Sequence, residues 1–254
     1  MSISAVSNTS NYYQQIASGN RINSAADDAA GLAIAEKLET AKNGYDVGSD
    51  NAAAGQDLLN VADGALSSIT DSLQRMRELS LQASNSALYT QDDLQAMQDE
   101  ITQLKDHISY VASNTQFNTK NLLDGTTGEL NLATNPDGSG TSLNMPNATL
   151  AALGIENYDV TGDFDISQLD DAITSITGAR SQLGASSNAL DHTISYNKLA
   201  SYNHSAATSR IKDTDFAKTI SELKKEEVLD QYRLMMQKKR EDENGKVTQL
   251  LRFN

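Results

Sequence analysis

The stretch Arg21–Leu38, RINSAADDAAGLAIAEKL, decides how the rest of the chain folds. Ser24 is a residue type that caps helices, and Asp27, three positions later, places a carboxylate near the free N–H groups of a first turn. The Ala-rich pattern that follows predicts a long helix. Because Ala and Gly let a neighbouring backbone approach closely, we interpret this segment as a contact strip between helices.

The composition favours long helices packed in thin layers. In 254 residues there is no Trp, aromatic residues make up 5%, and the two prolines, Pro136 and Pro146, lie near mid-chain. Proline breaks helices, so the regions on either side can run as uninterrupted helices. The sequence has no cysteine, which excludes disulfides and thiol chemistry.

The formal net charge is −14 at pH 7. Phosphate binding needs clustered Lys and Arg, so this charge argues against nucleic acid as a partner. From Lys212 onward the chain has 10 basic and 9 acidic residues, which makes this segment densely charged but nearly neutral. No apolar run is long enough to span a bilayer, and the first 20 residues lack the features of a Sec signal peptide.

Three stretches carry apolar residues at alternating spacings of three and four, a pattern typical of helices that pack along a seam. The first is Asp27–Gln82, whose glycines predict close packing at most positions and a bend near Gly44–Gly48. The second begins at the N-cap Thr90, ends near Ser113–Asn114 and folds back antiparallel on the first, because the connection is short. The third is Ile166–Ile211.

The remaining segments predict smaller elements. Glu129–Ala133 and Thr141–Met145 flank a Pro-Asp-Gly-Ser-Gly turn and indicate a small β-hairpin. Ala148–Leu153 is expected to form one helical turn. A further helix is expected from Asp215 to Lys239, with an interruption at Glu241–Gly245. Together these elements predict a mainly α protein, an elongated antiparallel bundle of long helices with a small β-hairpin region at mid-chain.

The sequence contains no recognisable catalytic or metal-binding motif. His107, His192 and His204 are far apart, and none has the spacing of a metal-binding pair. There is no nucleophile elbow, P-loop or dinucleotide-binding glycine motif. We therefore predict a protein that is not an enzyme and that binds neither a metal nor a cofactor.

Four blocks of sequence resemble bacterial flagellins, and they occur in the order found in that family. They are RINSAADDAAGLAIA from Arg21, LQRMRELSLQASN at Leu73–Asn85, TQFNTKNLLDG at Thr115–Gly125, and ITGARSQLGASSNAL at Ile176–Leu190, which SRIKDTDFA follows at Ser209–Ala217. The resemblance implies a structural subunit of the bacterial flagellar filament, with a role in motility and an extracellular location.

The resemblance also implies a division of the chain. Residues 1–20 would be a shortened N-terminal arm, a remnant of the filament-core domain. Residues 21–125 and 166–212 would be the two halves of a rod domain, and residues 126–165 a β-hairpin or variable region. Residues 213–254 would form a core-type C-terminal helix.

Partners follow from the same resemblance. The subunit would bind further copies of itself, the flagellar type III export apparatus and an export chaperone, and it would be secreted without cleavage. Eight residues in the first and last family blocks are expected to pack between subunits: Arg21, Ile22, Asn23, Asp27, Asp28, Arg210, Asp213 and Asp215.

Some flagellins are detected by Toll-like receptor 5 of animal hosts, through the rod helix around an LQRxRELxxQ block. Six positions match that recognition surface here: Gln74, Arg75, Leu79, Gln82, Glu100 and Ile173. Read without the family, the same block is a solvated face of an amphipathic helix.

The charged segment KKEEVLDQYRLMMQKKREDENGK departs from the family, whose members carry a Gln-, Ala- and Asn-rich segment there. Burying so many charges in a packed filament core costs free energy unless each is paired. Alternatives are therefore a minor or non-polymerising flagellin, a hook–filament junction protein, or a monomer that binds an immune receptor. From a different class, the long helices also fit a cytoplasmic signalling coiled coil.

Overall fold

The structure is a computed structural model that describes residues 3–85 and 87–252, with side chains at 9–85 and 87–248. Within these residues the chain forms five helices and four short strands, which confirms the prediction of a mainly α fold. The helices are α1 (Ile3–Ser18), α2 (Ala25–Ala83), α3 (Gln91–Asn114), α4 (Ser167–Lys212) and α5 (Phe216–Arg252). The strands are β1 (Gln116–Phe117), β2 (Lys120–Asn121), β3 (Glu129–Ala133) and β4 (Gly140–Asn144).

The chain divides into two compact units. The central unit comprises residues 43–201, and the terminal unit comprises residues 1–42 and 202–254. Helices α2 and α4 contribute residues to both. Among the described residues, no helix combines the length and apolar character that crossing a membrane requires.

In the central unit, α3 runs antiparallel to α2, as the short connection predicts. The Arg75 guanidinium donates to Glu100 (2.7 Å), and three residues earlier on α2 the Ser72 hydroxyl is hydrogen-bonded to His107 (3.0 Å). Earlier residues of α2 therefore meet later residues of α3. The predicted N-cap of α3 is confirmed, because Thr90 and Asp93 form a reciprocal capping box.

Helix α4 also runs antiparallel to α2. Arg77 pairs with Asp170 near the start of α4, and Asp63 pairs with Arg180 further along it. The α2 seam identified in the sequence is buried throughout; its members are Leu59, Ala62, Leu66, Ile69, Leu73 and Met76. They share one hydrophobic core with apolar residues of α3, α4 and the mid-chain segment.

The mid-chain segment contains two hairpins where one was predicted. Strand β3 pairs antiparallel with β4, one residue earlier than expected for the second strand. The additional hairpin, β1–β2, turns through Asn118 and Thr119, both at positive φ (46° and 66°). This turn escapes sequence analysis because Thr stands where such turns favour Gly. The turn expected at Ala148–Leu153 is closed by the Leu153 N–H donating to the Thr149 carbonyl (3.0 Å).

Glycines of α2 let the β3–β4 hairpin lie directly against the helix. A Cβ at Gly44 would come within 2.6 Å of Pro136, and a Cβ at Gly48 would overlap the backbone of Thr134. The expected close packing is therefore found at these positions, but a Cβ at Gly64 would meet nothing within 4 Å. The bend expected near Gly44–Gly48 is wrong, because α2 continues there and its non-helical backbone is at Asp28.

In the terminal unit, α1 packs antiparallel against α5, and the Tyr13 hydroxyl donates to Glu227 (2.8 Å). The interruption expected at Glu241–Gly245 is also wrong, because α5 is continuous. Glu241, Glu243 and Lys246 are good helix formers, and one glycine costs only about 1 kcal/mol relative to Ala.

Replacing Gly48 with Ala should destabilise the central unit by about 1–3 kcal/mol, because the added methyl group meets rigid backbone. The matched replacement Gly64→Ala, on the same helix but in open space, should stabilise it by about 0.5–1 kcal/mol. Urea unfolding followed by circular dichroism measures both. Changes of the same sign in the two variants would contradict the packing described for the hairpin.

Candidate functional site

The residues expected to carry function fall into two separate groups. The first lies in the central unit, and we call it the α2 face: Gln74, Arg75, Gln82, Glu100 and Ile173. The second lies in the terminal unit, and we call it the junction: residues 19–28 and 209–215.

Three residues of the α2 face are exposed on α2 itself, namely Gln74, Arg75 and Gln82. Leu79, which was expected to contact a receptor, is instead in the hydrophobic core, with 3% of its surface exposed. It follows Met76 by three residues, so both point to the buried seam of α2. Leu79 therefore lies in the core beneath the α2 face and is not part of its exposed surface.

Arg75 is held in place by two carboxylates. Its guanidinium donates to Glu100 on α3 (2.7 Å) and to Glu78 on α2 (3.2 Å). These bonds raise the pKa of the guanidinium, and the bond to Glu100 is the larger cause. Because all three side chains remain substantially exposed, the pairs add little to stability. Their effect is to fix the position of the Arg75 side chain.

The rest of the α2 face extends over neighbouring helices. Ile173 is half-buried on α4, three residues after Asp170, which pairs with Arg77. In an antiparallel pair this places Ile173 at the level of Gln74. Gln82 lies seven residues beyond Arg75, about 10 Å further along α2. The structure therefore joins Arg75 of α2 to Glu100 of α3 and places Ile173 of α4 at the level of Gln74.

The junction joins segments that are far apart in sequence. The Arg21 backbone N–H donates to the Lys212 carbonyl (2.6 Å), and its guanidinium donates to the Ile211 carbonyl (2.7 Å). The Thr214 N–H donates to the carbonyl of Gly19 (2.9 Å), which adopts a positive φ of 73°. The first and last family blocks thus form one hydrogen-bonded unit.

Two acidic residues shape the first block. Asp27 accepts the N–H groups of Asn23 (3.0 Å) and Ser24 (2.9 Å), and these bonds lower the pKa of its carboxyl. The next residue, Asp28, has extended backbone (φ −162°, ψ 97°) and accepts the Gly31 N–H (2.9 Å). Asp28 is therefore the N-cap of the long part of α2.

This arrangement corrects the role expected of Ser24. Its hydroxyl donates to the Asp27 carboxylate (3.1 Å) and does not cap the helix. A Cβ at Gly31 would overlap the Asp28 carboxylate and approach the Ile22 side chain within 2.8 Å, so glycine lets both side chains keep these positions.

The other expected packing residues also have roles within the chain. Ile22 is buried, with 2% exposed, and the Asn23 side chain donates to the Asn20 carbonyl (2.9 Å). Asp213 accepts a hydrogen bond from Ser209, and Asp215 caps α5 by accepting the Lys218 N–H (3.1 Å). Arg210 is exposed in the last turn of α4, where a cation complements the helix dipole. These residues thus contribute to the fold of the chain itself.

Sequence reasoning missed the backbone part of the junction, carried by Gly19, Asn20, Lys212 and Thr214. Asn20 and Asp213 form an antiparallel bridge there. The Gly19–Asn20 break in the pattern was visible, but backbone pairing with a segment about 190 residues away has no local signal.

In the described part of the chain, the α2 face and the junction can bind partners, but neither holds an arrangement of side chains suited to catalysis. No group of three or more His, Asp or Glu residues in the described part of the chain could hold a metal ion. A groove of 580 Å³ between α2 and α4 has the Asp63–Arg180 ion pair in its wall and no nucleophile next to a base. The chemistry available at both groups of residues is recognition through hydrogen bonds and charge.

Comparison with known proteins gives the family. The bacterial flagellin N-terminal helical region matches residues 3–128, and the bacterial flagellin C-terminal helical region matches residues 166–251. The flagellin of Halalkalibacterium halodurans is 38% identical over 246 residues, which cover 94% of this chain and 90% of that protein.

Two further comparisons agree with this match. The flagellar filament core protein flaB2 of Brachyspira hyodysenteriae is 35% identical over 241 residues, covering 87% of this chain and 84% of that protein. The crystal structure of Bacillus cereus flagellin superposes with a TM-score of 0.52 at 29% identity, covering 58% of this chain and 88% of that chain. The junction lies where the two family regions meet in space, and the chain belongs to the bacterial flagellin family.

Proposed function

We propose that this protein is a structural subunit of the bacterial flagellar filament. The observation that carries the proposal is the junction, because it joins the N-terminal and C-terminal flagellin regions through three hydrogen bonds of 2.6–2.9 Å. A subunit needs both of its ends held together if they are to pack as one surface against other copies. We further propose that the expected packing residues, from Arg21 to Asp215, maintain that surface.

The family assignment also bears on location and export. We infer that the chain is secreted through the flagellar type III export apparatus, with the help of an export chaperone, and that it resides in the extracellular flagellum. We also propose the division of the chain into the five regions expected from the sequence, in which residues 21–125 and 166–212 form the two halves of a rod domain. Membership of the flagellin family disfavours a cytoplasmic signalling coiled coil.

One observation favours a second form of this function. Every described side chain from residue 231 to residue 248 is exposed, and charged residues are frequent among them. Desolvating these charges in a tightly packed filament core is costly unless each finds a partner. This favours a minor or non-polymerising flagellin or a hook–filament junction protein as the alternative.

We also propose that the α2 face is a recognition surface for Toll-like receptor 5. The support is the exposure of Gln74, Arg75 and Gln82 and the fixed position of Arg75 beside Glu100. A preorganised charged group loses little conformational freedom when a partner binds. Receptor binding by the monomer would require this surface and would not require the junction.

Purified protein that is salted out should form filaments visible by negative-stain electron microscopy. Arg21→Ala should reduce the amount of filament, because it removes a side-chain bond that contributes at most about 1.5 kcal/mol to the junction. Lys37→Ala, on the exposed surface of α2 in the same unit, is the control and should assemble like the wild type. A wild type that stays monomeric would contradict the filament proposal and favour a non-polymerising flagellin.

In cells, the protein should be found in filaments sheared from the surface. A deletion strain should then lack filaments or make visibly fewer of them. Normal filaments in the deletion strain, with the protein present in a few copies per filament, would identify the minor or hook–filament junction form.

Arg75→Asp should weaken binding to the receptor ectodomain at least about tenfold, because it places three carboxylates together where a cation was offered. Arg180→Asp breaks a comparable ion pair, with Asp63, about 18 Å away along α2 and serves as the control. Surface plasmon resonance with both variants measures the difference. A wild type without affinity, or equal losses in the two variants, would disprove this use of the α2 face.

A further inference from the structure

A pocket of 310 Å³ lies between the β3–β4 hairpin and α4, within the central unit. We call it the hairpin pocket. Its lining comes from residues 134–135 and 140–141 on the hairpin side and from His192, Thr193 and Tyr196 on α4. The volume is at the lower end of the range of small-molecule sites, which is about 300–1,000 Å³. The pocket shares no residue with the α2 face or the junction.

The two walls of the hairpin pocket are held together by a buried hydrogen bond. Asn197, which is fully buried on α4 next to Tyr196, donates from Nδ2 to the Thr134 carbonyl (2.8 Å). The hairpin turn is itself closed, because the N–H groups of Thr134 (3.1 Å) and Asn135 (3.0 Å) both donate to the Ser139 carbonyl. A site with fixed walls loses little conformational freedom when a ligand binds. The pocket is therefore preorganised.

Tyr196 gives the pocket an aromatic surface. Its side chain is 60% exposed. The Tyr45 ring packs against it edge to face, with ring centroids 6.1 Å apart and planes at 77°. This neighbour steadies the Tyr196 ring and covers at most one of its faces. The face of an aromatic ring is the negative part of its quadrupole and attracts the polarised C–H groups of a ligand that stacks on it. Tyr196 is thus a platform for stacking.

The remaining lining is polar, and none of its residues is Asp, Glu, Lys or Arg. Asn135 supplies an amide, and Thr141 and Thr193 supply hydroxyl groups. In the described part of the chain, no hydrogen bond or ion pair engages the His192 ring, so its nitrogens can bind a ligand. An anionic ligand would find no Lys or Arg here, and a cationic ligand no carboxylate. The lining therefore suits a neutral ligand rich in hydroxyl groups.

We propose that the hairpin pocket binds a neutral saccharide, with one pyranose ring stacked on Tyr196. A pyranose presents C–H groups on its face, which suit an aromatic ring, and hydroxyl groups around its edge, which suit amide, hydroxyl and imidazole groups. The exposed ring and the uncharged polar lining are both used in this arrangement. Saccharide binding goes beyond subunit assembly and receptor recognition, because it involves neither the junction nor the α2 face.

Saturation-transfer difference NMR with the purified chain tests binding directly. The ligands are three neutral sugars: methyl β-D-galactopyranoside, methyl β-D-glucopyranoside and methyl α-D-mannopyranoside. At least one of them should receive saturation from the protein, with the largest effect on the C–H groups of one ring face. A titration then gives its dissociation constant.

A charged analogue tests the selection for a neutral ligand. Methyl β-D-glucuronide has the ring of the glucoside but carries a carboxylate. Residues 43–201 contain 21 acidic and 6 basic residues, so the central unit repels anions. The glucuronide should therefore bind at least about threefold more weakly than the neutral glycosides that bind.

Substitutions locate the site. Tyr196→Ala removes the stacking platform and should raise the dissociation constant at least about fivefold, whereas Tyr196→Phe keeps the ring and should remain within about twofold of the wild type. His192→Ala removes a hydrogen-bonding group and should raise it about threefold. Tyr110→Ala, at a 66% exposed tyrosine of α3 in the same unit, is the control and should bind like the wild type. Circular dichroism melting checks that each variant is folded.

Three results would overturn the proposal: no saturation of any of the three glycosides by the wild type, equal losses in Tyr196→Ala and Tyr110→Ala, or a glucuronide that binds as tightly as the neutral sugars. None of these results depends on filament formation or on the receptor. Failure of saccharide binding and failure of the filament proposal are therefore distinguishable.

Discussion

The hydrogen bonds between residues 19–21 and residues 211–214 are the constraint on which the terminal unit depends. They fix the start of α2 next to the end of α4, and they set the positions from which α1 and α5 run antiparallel. Closing a loop of about 190 residues costs only moderately more entropy than closing a short one. The packing of α2 against α3 and α4 in the central unit further offsets that cost. The junction explains why the first and last family blocks occur together although they are distant in sequence.

Features set by local sequence were predictable. The α2 seam from Leu59 to Met76 is buried as its periodicity indicated, and Thr90 caps α3 as its side chain and Asp93 indicated. Features set by tertiary contact were not. The sequence indicated Ser24 as the N-cap. The backbone is instead extended at Asp28, because the preceding segment is hydrogen-bonded to the end of α4 and to Thr214 just before α5. Gly44 and Gly48 suggested a bend in α2. They instead leave room for the β3–β4 hairpin to pack against the helix, a contact that the local sequence does not indicate.

The same distinction applies to the functional residues. The family blocks named segments on three helices, and the antiparallel register places Glu100 beside Arg75 and Ile173 at the level of Gln74. Leu79 could not be assigned correctly from the motif alone, since a helical motif does not say which of its faces the neighbouring helices cover. The residues expected to pack between subunits proved to have intrachain partners as well. One set of side chains can therefore order the subunit and present its surface.

The central claim is that backbone hydrogen bonds tie the two flagellin regions together at the junction. Amide hydrogen exchange, resolved by residue, tests it most directly. The N–H groups of Arg21 and Thr214 donate to Lys212 and Gly19, so both should exchange far more slowly than unstructured amides and at similar rates. Exchange of both amides at the rate of an unstructured chain, while the core amides of α2 remain protected, would contradict the account.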